Sequence, residues 1–73
     1  DLERVRYLIA KSAFLLSENS VLEKKTDRYR ETLTRCKDFL DKYPKSKYAK
    51  DVKDIYRDAE RSIKEVQKRL KTT

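Results

Sequence analysis

Apolar residues recur at Tyr29, Leu33, Cys36, Leu40 and Tyr43. Steps of three and four put them on one stripe of an α-helix, with Arg, Lys, Asp and Glu filling the other positions. Pro44 lacks an N–H and crowds the preceding residue out of the α region, so the helix is expected to end at about Tyr43. Ser46 has the chemistry of an N-cap for the helix that follows. That last helix is predicted over about 47–71, with Tyr48, Val52, Ile55, Tyr56, Ala59, Ile63, Val66 and Leu70 on one stripe. Beyond about Ile63 the stripe should overrun the shorter helices before it. Val66 and Leu70 then either await a partner or mark a frayed end.

The first helix is predicted over about 2–18. Val5, Ile9, Ala13 and Leu16, with Leu8 and Leu15 beside them, already make a complete core face, and Tyr7, Ala10 and Phe14 add a second apolar strip. A helix apolar nearly all round is buried on more than one side. Two downstream helices can cover only part of it, so the uncovered side implies either a missing upstream repeat or self-association. Ser20 and Glu23 have the spacing of a capping box, which starts the second helix at Val21 and gives it the span of about 21–43. Residues 21–28 then either lengthen that helix or bulge at the hairpin tip.

With no glycine, one proline and 45% charged residues in 73 positions, the chain has few places to turn. It reads as one small all-α module over 1–73 with two tight connections, expected to be a piece of a longer repeat protein. No apolar run approaches the roughly 20 residues a membrane span needs. The single Cys36 excludes an internal disulfide, and the absence of histidine removes the usual zinc ligand sets. Cys36 lies on the apolar stripe, where a small buried hydrophobe is the expected role.

No catalytic constellation is present. There is no histidine base, no Gly-rich phosphate loop and no partner for a cysteine nucleophile. Asp38 with Asp41 and Asp54 with Asp58 stand at helical spacing among lysines and arginines, as solvated faces do. The sequence therefore reads as a non-enzymatic binding or structural module with no cofactor and no metal. The net charge of +7 competes with a pure scaffold reading, because residues 44–73 carry ten Lys and Arg against five Asp and Glu. Nucleic acid would reward such a surplus. Interspersed acids, the lack of a docking motif and aromatics confined to core stripes disfavour it. An acidic protein patch or an anionic membrane surface fits better.

From Tyr29 to Pro44 the spacing resembles the second helix of a tetratricopeptide (TPR) repeat: an aromatic, a small residue three on at Thr32, Cys36 four further, and a closing proline. It departs from the usual pattern at Phe39, where alanine is common, at Thr32, which fills the small-residue slot, and in lacking the glycine between helices. The run Phe39-Leu-Asp-Lys-Tyr-Pro-Lys-Ser-Lys-Tyr-Ala49 is similar to the BamD family, TPR-type periplasmic lipoproteins of outer-membrane protein assembly. Arg6 to Leu16 looks like the first helix of such a repeat, so the resemblance spans most of the chain. It implies a TPR-like antiparallel helical hairpin followed by a long capping helix at the end of an α-solenoid. It further implies a lipoprotein at the periplasmic face of the cell outer membrane, a scaffold of the β-barrel assembly (BAM) machinery docking on periplasmic domains of the barrel subunit. Membrane attachment would come only through a lipid anchor outside this sequence. The faces expected to meet a partner are Tyr7 and Phe14 at the front and Lys64, Lys68 and Arg69 at the end. A generic TPR-like adaptor is the alternative, and a basic nucleic-acid-binding bundle comes third.

Overall fold

The computed structural model describes residues 1–72, and among them there are three α-helices and no strand. Helix α1 spans Leu2–Glu18, α2 spans Leu22–Lys42 and α3 spans Ala49–Thr72. They lie side by side in a rod of 44 × 16 × 14 Å. The middle helix, α2, packs along both neighbours, while α1 and α3 touch each other less. The all-α architecture expected from the periodicity is present.

Local chemistry sets the helix ends. Asp1 caps α1, its carboxylate accepting the N–H groups of Glu3 and Arg4 at 3.0 and 3.4 Å. The capping box read from Ser20 and Glu23 does not form. The Ser20 hydroxyl instead donates back to the Leu16 carbonyl at 2.7 Å and Asn19 Nδ2 donates to the Leu15 carbonyl at 2.9 Å, so both side chains close α1. Val21 becomes the N-cap of α2, with no side-chain hydrogen bond. Its carbonyl accepts the first backbone bonds, from Lys24 and Lys25.

Pro44 ends α2 as expected, and Tyr43 is its C-cap. The Ser46 N–H donates to the Tyr43 carbonyl at 3.1 Å, closing a turn around Pro44 and Lys45. Ser46 Oγ accepts the Tyr48 N–H at 3.0 Å, the contact an N-cap makes, while the Ala49 N–H reaches the Ser46 carbonyl at 3.0 Å. The capped turn is thus a tight i→i+3 turn, and the regular helix begins at Ala49 rather than at Lys47.

The core has two parts. Towards the Pro44 turn, Tyr7, Ala10, Cys36, Phe39 and Val52 are buried together. Towards the other end, Tyr29, Ala59 and Val66 are buried, with Phe14, Leu22, Leu33 and Ile63 against them. Val66 is therefore covered, and the expectation that the stripe overruns beyond Ile63 is corrected. At 1.5 Å per residue α2 is roughly 31 Å long and α3 about 36 Å, a difference near one turn. The first turn of α2 brings Leu22 to the Val66 cluster, and the stripe becomes exposed only at Leu70.

The inward face of α1 is also the reverse of the dense aliphatic one. Tyr7, Ala10 and Ser17 are buried, whereas Val5, Leu8, Ile9, Leu15 and Leu16 are exposed. Small residues explain the choice. Ala10, Ser17, Thr32 and Cys36 are all without solvent exposure, and they let α1 and α2 approach closely. At that contact the Ser17 and Thr32 hydroxyls lie 3.1 Å apart, and each also donates to the carbonyl four residues back, at 2.8 and 3.2 Å. Two hydroxyl protons thus serve three contacts, so the inter-helix bond is a shared one.

Candidate protein-interaction surface

Tyr7 is a packed residue rather than a partner-facing one, with 8% of its surface exposed. Its ring stacks on Tyr48 with centroids 4.4 Å apart and planes 10° from parallel. Its hydroxyl donates to Asp51 Oδ2 at 2.8 Å. That hydrogen bond, then burial, then the negative charge of Asp51 push the phenol above its ordinary pKa. Phe14 packs tilted on Tyr29 at 6.1 Å and belongs to the inner cluster with Ile63 and Val66. The front strip expected to meet a partner is therefore used inside the chain.

Lys64, Lys68 and Arg69 lie on the last turns of α3 and are exposed. The structure does not join them to Tyr7 and Phe14 in one surface, because the aromatics point inward and the cations outward. Along the outer side of α3, Arg57 pairs with Asp54 at 3.8 Å and Arg61 with Asp58 at 2.9 Å. These are exposed ion pairs, each worth little to stability.

The uncovered side of α1 does exist, and it is made of other residues. Val5, Leu8, Ile9 and Leu16 are 48%, 45%, 43% and 51% exposed. With Ser12 and Ala13 they floor an open groove of about 470 Å³, whose wall is Arg28, Glu31 and Arg35 of α2. Arg35 is held by Glu31 at 3.2 Å, whereas Arg28 makes no ion pair among the described residues. Sequence reasoning had placed these aliphatics in the core. The buried face carries Ala10 and Ser17 seven residues apart, alternating with the rings of Tyr7 and Phe14, whereas the small residues Ser12 and Ala13 lie on the groove floor.

Cys36 is buried, and loss of solvent pushes its thiol up to about 11. A thiol so placed is a packing group rather than a nucleophile. No cluster of three or more metal-ligating side chains occurs among the described residues. No described helix is long and apolar enough to cross a membrane. No protein-family model, curated protein or solved structure matches the chain.

Proposed function

We propose that the chain is a TPR-like hairpin, α1 and α2, followed by the capping helix α3, and that it works as a non-catalytic protein-binding module. The observation that carries this reading is the aliphatic outer side of α1, left in water while the opposite side closes the core. A helix with two apolar faces and one covered is the interior member of a stack. α3, whose outer side is charged, suits a terminal member. The resemblance at residues 39–49 gives the setting: the BAM machinery at the periplasmic face of the outer membrane, with the barrel subunit's periplasmic domains as partner. A TPR-like adaptor elsewhere in the cell would use the same surface with a different partner.

The test is titration of the purified chain into the periplasmic domains of the barrel assembly subunit, followed by calorimetry. A Leu8→Ser, Leu16→Ser double variant is run alongside. Saturable binding that the variant loses while its far-ultraviolet circular dichroism stays helical supports the reading. Binding unchanged in the variant removes α1 as the docking face. No binding by either protein removes the assembly-machinery setting.

A further inference from the structure

The groove between α1 and α2 has an apolar floor and an unequal wall, with two arginines against one glutamate. Resting on the protein-binding reading above, we infer that its occupant is an amphipathic helix that lays an apolar stripe on Leu8 and Leu16 and carries acidic residues along the flank facing Arg28 and Arg35. The floor supplies spacing suited to a helix, because its aliphatics recur along α1 at steps of three and four. The wall supplies the sign. Arg28 makes no ion pair among the described residues, and the one acid of the wall, Glu31, is engaged by Arg35. An incoming carboxylate there gains an exposed ion pair with Arg28, and an incoming lysine meets a wall of net positive charge.

A second copy of the chain fits less well. The helix that would enter the groove carries Arg4, Arg6 and Lys11 against Glu3 and Glu18, and Glu3 is engaged by the Ser46 hydroxyl at 2.7 Å. A basic helix would then face a basic wall.

The experiment uses two synthetic helical peptides with the same leucine stripe, one flanked by glutamates and one by lysines. Binding to the full 73-residue chain is read by fluorescence anisotropy. The acidic peptide should bind more tightly by about tenfold or more at low salt, a ratio set by a few exposed charge pairs and shrinking as salt is added. Arg28→Glu with Arg35→Glu should erase or invert the ratio, and Leu8→Ser with Leu16→Ser should weaken both peptides at least tenfold. Equal binding of both peptides, lost in the leucine variant, overturns the acidic flank and leaves the docking face standing. A preference that survives the arginine reversal overturns the assignment of the wall. If neither peptide binds, both the inference and the docking face fail. Dimerisation by sedimentation equilibrium at the assay concentration makes a second copy the occupant and overturns the proposal.

Discussion

Replacing Tyr7 separates the two possible orientations of α1. Tyr7→Phe removes only the hydroxyl that donates to Asp51 at 2.8 Å. A bond to a charged acceptor can be worth more, but Asp51 is exposed, so a loss of about 1 kcal/mol is expected. Tyr7→Ala also removes a ring that is 8% exposed and stacked on Tyr48 at 4.4 Å, for which about 3–5 kcal/mol is the usual cost. A domain of this size holds only about 4–11 kcal/mol in all. The alanine variant should therefore sit near the edge of folding. Leu8→Ala, at 45% exposure, should cost about 1 kcal/mol or less. Urea titrations followed at 222 nm measure all three. With a slope near 1 kcal/mol per molar for so small a chain, Tyr7→Phe moves the midpoint by roughly 1 M and Tyr7→Ala by several. If Leu8→Ala proves as damaging as Tyr7→Ala, the aliphatic side of α1 is the packed one and the orientation described above is wrong. Alkaline titration adds a second readout. A phenol whose folded pKa is raised contributes stability that is complete below its ordinary value of 10.0 and is lost as pH rises through the folded value. Wild type should weaken more above that point than Tyr7→Phe.

Three further outcomes follow from single groups. Cys36, with its thiol pushed up to about 11, should react with a disulfide reagent at neutral pH far more slowly than a free thiol and at a rate that climbs with urea; fast reaction in the native state would contradict its burial. Thr26 Oγ1 is buried with no hydrogen-bond partner, so Thr26→Val should be neutral or stabilising by up to about 1 kcal/mol in the same urea assay, and a clear loss would reveal a partner for the hydroxyl. Ser46→Ala removes both the cap on the Tyr48 N–H and the 2.7 Å bond to Glu3, and should lower the melting temperature by about 4–8 °C per kcal/mol for a loss of about 1–2 kcal/mol; an unchanged melting point would mean that the turn at Pro44 holds without its cap.

The existence and order of the helices were legible because each carries a 3.6-residue stripe and because Pro44 punctuates the second connection. Two kinds of error entered at finer grain. At Ser20 the spacing of a capping box was real, but the same hydroxyl had a nearer acceptor in the Leu16 carbonyl, and the local bond won. At Ile63 the error was geometric. Helix α2 begins at Leu22, one residue after the start read from the sequence, and that first turn is what covers Val66.

The inversion of α1 has a different cause, and it bears on function. Counting apolar mass ranks Val5, Leu8, Ile9 and Leu16 above Tyr7, Ala10, Phe14 and Ser17, yet Tyr7, Ala10 and Ser17 are buried and Phe14 is partly so. Close helix packing selects by shape as well as by transfer energy. Ala10 and Ser17 admit α2, and the large rings of Tyr7 and Phe14 fill the space left towards α3 and Tyr29. Turning α1 round would drive branched aliphatics against Thr32 and Cys36, where neither side chain has any exposure to give up. The fold therefore has no way to hide the aliphatic side with its own three helices. Several half-exposed leucine-type side chains on one helix are more than internal packing requires, and their continuity with the groove along α2 makes them a surface rather than a scatter. That is the physical ground for placing the partner on α1, and for expecting the basic residues of α3 to matter less for affinity than the aliphatics of the first helix.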